Sequence, residues 1–184
     1  MVNELKKRES KLHVLVNNSG SNWGEAFETF PDAAWTRVLT LNLTRVFTLT
    51  QLVTPLLEAA SKTSDPARII NIGSVDGIRV PTLETFSYSA SKAGLHQLSK
   101  VLANHLGKRN ITSNVLACGP FESKMMAATL KSFGEEIKSG IPLGRIGSPE
   151  DVAGACLFLS SRAGAFVIGA TFALDGGTLV GSKL

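Results

Sequence analysis

The sequence has few cysteines, little excess charge and no long hydrophobic run. Its two cysteines, Cys118 and Cys156, are too few for a disulfide framework and fit no zinc motif, so we expect no metal site and a reducing compartment. Lys and Arg number 19 against 15 Asp and Glu, without the basic patch that a nucleic-acid partner requires. No apolar run reaches the roughly 18 residues of a membrane span.

The sequence does contain enough apolar material for a folded core. Of its 184 residues, 43% are hydrophobic and 18% are charged. Domains usually run to about 100–200 residues, and the low hydrophobicity typical of disordered chains is missing. We therefore predict one domain over residues 1–184, without internal repeats or linkers.

Short apolar runs alternate with helical patterns along the chain. We predict strands at residues 12–16, 68–73, 111–117 and 169–175. Helices are predicted at about residues 32–60 and 87–106, and from Pro149 onwards after a Ser148 N-cap. This alternation predicts an α/β protein with a mainly parallel sheet. Ligands bind at the carboxyl ends of such strands. Residues 17–20, 73–74 and 118–121 are predicted to lie at this edge.

Two residues at the start of the second long helix suggest proton chemistry. Tyr88 and Lys92 are four residues apart, so they share one helix face. An ammonium near a phenol lowers the phenol's pKa from about 10, which prepares it for general acid–base catalysis. Ser74, at a strand end on the same edge, would polarise a carbonyl. Alone, a Tyr and a Lys at this spacing are more often an exposed amphipathic pair, so their context decides.

The chain carries an ordered set of motifs that resembles the short-chain dehydrogenase/reductase family. The motifs are Asn17-Asn18-Ser19-Gly20, Asn42 in Leu41-Asn42-Leu43-Thr44, Ile72-Gly73-Ser74, Tyr88-Ser89-Ala90-Ser91-Lys92 and Leu174-Asp175-Gly176-Gly177. Residues 144–153 are similar to the family's reductases of the 3-oxoacyl type. The resemblance implies a Rossmann-like, doubly wound parallel sheet.

The resemblance also implies a catalytic set of Asn42, Ser74, Tyr88 and Lys92. Tyr88 would exchange a proton with the substrate oxygen, and Ser74 would orient and polarise the carbonyl. Lys92 would lower the pKa of Tyr88 and bind the nicotinamide ribose. Asn42 would hold a water that links Lys92 to solvent.

The implied cofactor is NADP or NAD, with NADP slightly preferred. Asn18 would lie beside its adenosine ribose, and the backbone around Gly119 and Phe121, with the Ser123 hydroxyl, would bind the carboxamide. The full cofactor-binding set is Asn18, Gly20, Tyr88, Lys92, Gly119, Phe121 and Ser123.

The chain departs from the family pattern in one large respect, because it contains no G-x-G-x-x-G turn. That turn brings the backbone close to the cofactor's pyrophosphate, and in the family it lies well upstream of the element at Asn17. We therefore expect an N-terminally truncated domain that lacks roughly two βα units. The strand at residues 12–16 would then lie at an open sheet edge.

Other positions leave alternatives open. Cys118 stands where the family usually has Pro. Its thiol packs near the nicotinamide, or it is a small buried hydrophobic residue, which is the preferred interpretation. Met125 and Met126 line a substrate lid or fill gaps. We interpret the widely spaced His13, His96 and His105 as strand or helix-surface residues.

The terminal tripeptide predicts a location. Ser182-Lys183-Leu184 matches a receptor-read peroxisomal address, if the source is a eukaryote. Without that signal we expect a cytoplasmic protein.

Taken together, the sequence predicts an NAD(P)-dependent oxidoreductase that interconverts a carbonyl and an alcohol on a small-molecule substrate. A 3-oxoacyl thioester is the leading substrate class, and the family's pairing of long helices across subunits implies a dimer or tetramer. The alternative is a non-catalytic remnant that only oligomerises with a full-length partner. The intact set at Asn42, Ser74, Tyr88 and Lys92 favours the enzyme, whereas the missing glycine turn favours the remnant.

Overall fold

The computed structural model describes residues 1–181 of the chain. In this part of the chain, four strands form one parallel sheet in the order β1-β2-β3-β4. They are β1 (Val14–Asn17), β2 (Ala67–Ser74), β3 (Ile111–Cys118) and β4 (Thr171–Leu174). The predicted α/β fold with a parallel sheet is therefore confirmed, and each strand end lies within about two residues of its predicted position, the usual uncertainty of such boundaries.

Within residues 1–181, six α-helices connect and flank the strands. They are α1 (Val2–Arg8), α2 (Asp32–Leu39), α3 (Arg45–Ala60), α4 (Phe86–Gly107), α5 (Ala127–Ser139) and α6 (Pro149–Ser160). The single helix predicted over residues 32–60 is interrupted by a π-helical segment at Thr40–Thr44, which contains Asn42. Among residues 1–181 no helix is both long and apolar enough to cross a membrane.

Helices cover both faces of the sheet. Successive side chains of β2 point to opposite faces, and each face packs against different helices. Ile69 packs with Leu57 of α3 and Leu102 of α4. Ile70 packs on the other side with Leu159 of α6. Burial on both faces is typical of a parallel sheet, and it makes the fold doubly wound and Rossmann-like, as predicted.

Within the described residues, β1 lies at an edge of the sheet and pairs with β2 alone. A buried polar network holds it in register. Asn17 Nδ2 donates to Asn71 Oδ1 at 2.9 Å, and Asn71 Nδ2 donates to the hydroxyls of Ser99 and Ser113 at 3.1 and 3.2 Å. Fully satisfied networks of this kind specify a single arrangement, so β1 delivers the loop after Asn17 to a defined place.

Candidate active site

The candidate site lies at the carboxyl edge of the sheet, where parallel strands bring their ends together. Ser74 ends β2 beside its register partner Cys118 at the end of β3. The first half of α4 crosses this edge, and Lys92 Nζ donates to the Ile72 carbonyl oxygen of β2 at 2.8 Å. The structure thus brings Ser74, Tyr88 and Lys92 to one place.

Lys92 is a buried cation with an exposed fraction of 5%. Its Nζ lies 5.5 Å from the centroid of the Tyr88 ring. Burial disfavours the charged form and lowers the pKa of Lys92 to about 8. The side chain is therefore mostly an ammonium at neutral pH but titrates just above it.

Tyr88 is half-buried, and its pKa is raised above the usual value of 10.0. Burial is the largest cause, a hydrogen bond with the Ser74 side chain acts in the opposite direction, and the charge of Asp76 raises the pKa further. The effect of Lys92 on this pKa stays a prediction; its Nζ donates to the Ile72 carbonyl and lies over the Tyr88 ring. The phenol is protonated at neutral pH and is ready to donate.

Asn42 joins the loop after β1 to α4. Its side chain is 1% exposed. Its Oδ1 accepts from the Ser21 backbone N–H, and its Nδ2 donates to the Ser21 carbonyl and to the Ser91 hydroxyl, each at 2.9 Å. Ser91 in turn donates to the Tyr88 carbonyl at 2.7 Å. Asn42 therefore clamps the loop against the helix that carries Tyr88, while its water-holding role stays a prediction.

Gly20 leaves a space beside these groups. A Cβ at this position would lie 3.4 Å from Asn42 Oδ1 and 3.7 Å from Lys92 Nζ. The hydroxyls of Ser21 and Ser89 are buried and have no hydrogen-bond partner among residues 1–181. Buried polar groups usually have partners, so the unpartnered Ser21 hydroxyl, in the loop that Asn42 holds, and the nearby Lys92 ammonium fit a polar ligand at this edge.

The remaining implied cofactor contacts lie around the same edge. Gly119 N donates to the Leu174 carbonyl at 2.9 Å, and a Cβ on Gly119 would lie 2.8 Å from the Asp175 Cα, so the close approach requires glycine. Phe121 pairs with Gly147 in an isolated parallel bridge.

Two further residues of the implied set lie at the exposed rim of the site. Ser123 is exposed, and its Oγ accepts from Met126 N at 3.2 Å. Asn18 is exposed after β1. Cofactor binding by Gly119, Phe121, Ser123 and Asn18 stays a prediction.

His96 was missed as a site residue by the sequence interpretation. It is 7% exposed rather than on the surface, and its Nε2 accepts from the Ser74 backbone N–H at 3.4 Å. Burial, with smaller effects from Lys92 and Lys100, lowers the pKa of His96 to about 4. Its position four residues after Lys92, on the same helix face, is the signal that could have found it. His13 and His105 are exposed, as predicted.

Cys118 behaves as a small hydrophobe. It packs against the core cluster of Ile70, Leu116 and Leu159, and burial raises the pKa of its thiol to about 11. The thiol is therefore protonated and weakly reactive at neutral pH. In residues 1–181 no group of three or more His, Cys, Asp or Glu side chains is arranged to hold a metal ion.

A Rossmann-like sheet with a Ser, a Tyr and a Lys at its carboxyl edge has close relatives among known proteins. The family described as enoyl-(acyl carrier protein) reductase matches residues 1–178. The rhamnolipids biosynthesis 3-oxoacyl-[acyl-carrier-protein] reductase of Pseudomonas aeruginosa is 42% identical over 170 residues, which cover 91% of this chain and 66% of that protein. The acetoacetyl-CoA reductase of Acinetobacter sp. is 36% identical and is matched over 92% of this chain and 66% of its own length.

A solved structure agrees. The Pseudomonas aeruginosa RhlG/NADP active-site complex superposes with a TM-score of 0.92 at 40% identity, over 96% of this chain and 70% of that one. The chain therefore belongs to the short-chain dehydrogenase/reductase family. It spans about two thirds of the length of these relatives.

Proposed function

We propose that the chain supplies the catalytic part of an NADP(H)-dependent oxidoreductase that interconverts a carbonyl and an alcohol. The observation that carries the proposal is the convergence of Ser74, Tyr88 and Lys92 at one partly buried sheet edge. A 3-oxoacyl thioester is the preferred substrate class, supported by the similarity to a 3-oxoacyl-[acyl-carrier-protein] reductase and to an acetoacetyl-CoA reductase.

The residues at this edge fit a nicotinamide cofactor. The space beside Gly20, the Lys92 ammonium and the unpartnered Ser21 hydroxyl suit the polar ribose half. The cofactor, when bound, supplies the hydride. Preference for NADP is supported by the related Pseudomonas aeruginosa structure, which is a complex with NADP.

The chain's own residues provide the proton and the electrostatic stabilisation. Ser74 donates a hydrogen bond to the substrate carbonyl oxygen and stabilises the negative charge that develops there. Tyr88 is protonated at neutral pH, since burial raises its pKa above the usual value of 10.0, and it donates a proton to the same oxygen. The Lys92 ammonium then stabilises the phenolate that remains. A phenol that holds its proton at neutral pH is in the form that carbonyl reduction requires.

The test is a steady-state assay of the chain with NADPH and acetoacetyl-CoA. We expect consumption of NADPH, and a loss of at least about 100-fold in Tyr88→Phe, because general acid catalysis contributes about 10²–10⁴-fold. The absence of turnover by a folded wild-type chain would contradict the proposal and favour the non-catalytic remnant.

We further propose a homo-oligomer built on the long helices. Phe47 and Leu52 of α3 and Val101 of α4 are 45%, 46% and 44% exposed, so these helices carry apolar side chains that a partner subunit would bury. Size-exclusion chromatography with light scattering should give a dimer or tetramer, and a monomer at all concentrations would contradict it.

The peroxisomal address at Ser182-Lys183-Leu184 lies outside the described residues and stays a prediction. The matched relatives named above are bacterial proteins and give it no support. In a eukaryotic source, deletion of Leu184 from a fusion with a free C-terminus should abolish peroxisomal staining, and unchanged staining would refute the address.

A further inference from the structure

We propose that His96 is a positioning residue for Ser74. Its imidazole fixes the end of β2 against α4 and so sets the position of the Ser74 hydroxyl relative to Tyr88 and Lys92. The contact itself stands on geometry alone, and its effect on turnover rests on the proposed function.

The first observation is the hydrogen bond at the end of β2. Ser74 N donates to His96 Nε2 at 3.4 Å, and Ser74 Oγ accepts from Asp76 N at 3.2 Å. One contact fixes the backbone of Ser74 and the other orients its side chain. Because Nε2 accepts, the imidazole must be neutral and carry its proton on Nδ1.

The second observation is the pair of glycines that make room for the ring. A Cβ on Gly73 would overlap the His96 imidazole. A Cβ on Gly77 would lie 2.8 Å from Lys92 C and Ala93 N, and 3.0 Å from His96 Cε1. The chain on both sides of Ser74, at Gly73 and at Gly77, therefore lies close against α4 and the ring of His96.

The third observation is the place of His96 on α4. It follows Tyr88 and Lys92 at four-residue steps on one helix face. It is buried next to the Lys92 cation, which disfavours a second positive charge. The ring thus acts as a fixed neutral acceptor beneath the site rather than as a proton carrier.

A packing role and a positioning role predict different results. Leu has a suitable volume for the space but no acceptor, whereas Gln places an amide oxygen near the position of Nε2. If His96 only fills space, His96→Leu should be the milder change. If His96 positions Ser74, His96→Gln should be the milder change.

The kinetic test compares both variants with NADPH and acetoacetyl-CoA. We expect His96→Leu to lower kcat roughly tenfold, the scale of one lost hydrogen bond, while the KM for NADPH changes less than about twofold, and His96→Gln to stay within about threefold of wild type. In a Ser74→Ala background His96→Leu should lower kcat hardly further, because the backbone contact stays but no hydroxyl remains to be positioned. Equal losses in the two variants, or a full tenfold effect without Ser74, would overturn the proposal.

A second measurement does not depend on turnover. Nitrogen-15 NMR of the wild-type imidazole should show the Nδ1–H tautomer, and the Ser74 amide should exchange its hydrogen roughly tenfold faster in His96→Leu than in wild type or His96→Gln. An Nε2–H tautomer, or an unchanged exchange rate, would overturn the role of His96 even in an active enzyme. The expected NMR result in a chain without turnover would instead contradict the proposed function alone. Should His96→Leu fail to fold, the wild-type tautomer still decides.

Discussion

Burial, more than the pairing of charges, controls protonation at the site. Tyr88 and Cys118 have raised pKa values and Lys92 has a lowered one, and desolvation is the largest cause in all three. Each shift favours the neutral form, as expected where water is excluded. Without cofactor, the site therefore combines Tyr88, which is protonated at neutral pH, with Lys92, which loses its proton more readily than a free lysine.

The raised pKa of Tyr88 can be measured directly, because Tyr88 is the only tyrosine in the chain. We expect its phenolate absorbance to appear with a midpoint above the usual value of 10.0 in the folded chain without cofactor, and near 10 in urea. Ser74→Ala should raise the midpoint further, because the Ser74 hydrogen bond lowers it. Tyr88→Phe is the blank. A folded midpoint below 10 would show instead that the Lys92 cation dominates.

The space at Gly20 makes a second prediction at the scale of one residue. In Gly20→Ala the new methyl group would lie 3.4 Å from Asn42 Oδ1 and 3.7 Å from Lys92 Nζ. These are ordinary contact distances, so the melting temperature should hardly change while NADPH binding weakens at least about tenfold, the equivalent of about 1.4 kcal/mol.

Gly24→Ala is the matched control for this prediction. It lies in the same loop, and its Cβ would meet only Thr85 Cγ2, at 3.8 Å. Calorimetric titration with NADPH should show wild-type affinity in Gly24→Ala. Equal binding by both variants would mean that the space beside Gly20 is not used by the cofactor.

At the scale of elements, the π-helical segment at Thr40–Thr44 turns a long helix into a site component. It places the buried Asn42 opposite the Ser21 loop. The apolar periodicity of residues 32–60 predicts a helix but not this interruption, because one extra residue in a turn hardly disturbs a short pattern.

The clamp made by Asn42 predicts a large loss of stability in Asn42→Ala. The substitution leaves the Ser21 N–H and carbonyl without their side-chain partner, and the Ser91 hydroxyl keeps only its bond to the Tyr88 carbonyl. Unsatisfied buried groups cost about 1–3 kcal/mol each, partly recovered by water, so the free energy of unfolding should fall by about 2–4 kcal/mol. Asn22→Ala is the control, since the Asn22 side chain bonds only the adjacent Trp23 N–H. In urea titrations, a fall below about 1 kcal/mol in Asn42→Ala would contradict the clamp.

The comparison of α4 with its sequence shows what local patterns can and cannot predict. Its extent, Phe86–Gly107, and the face shared by Tyr88 and Lys92 follow from spacing alone. The burial of His96 does not, because it depends on the turn at Gly73–Gly77, which is distant in sequence and packs on the helix. Only the fold shows that Gly73 and Gly77 leave room for this ring.

At the scale of the whole molecule, the sheet collects the site from segments far apart in the chain. The edge formed by β1, β2 and β3 was predictable, because parallel strands place their carboxyl ends together. Hydrogen bonds such as that between Asn17 and Asn71, 54 residues apart, were not, because they depend on strand register. The burial that shapes the site also has a cost in the free energy of folding, because it disfavours the charged form of Lys92.

That cost predicts how stability depends on pH. The pKa of Lys92 is about 8 in the folded chain against 10.5 for a free lysine. Between these values the unfolded chain binds a proton that the folded chain has released, so the free energy of unfolding rises with pH. Cys118 acts oppositely from about pH 9 upwards, because its folded pKa is about 11 against 9.0. We therefore expect a rise of roughly 1 kcal/mol between about pH 8 and pH 9, then a plateau or decline.

Lys92→Met isolates the contribution of the lysine, because it keeps a long side chain and removes the charge. The variant should be more stable than wild type at neutral pH, where the buried ammonium opposes folding, and its stability should not rise above pH 8. It should also lose turnover, since no cation remains beside Tyr88. Urea denaturation across this pH range, at one protein concentration, measures both slopes. If stability depends on pH equally in wild type and Lys92→Met, the burial of Lys92 does not determine alkaline stability. A variant that is inactive but more stable than wild type would show that the cation required for turnover also destabilises the fold.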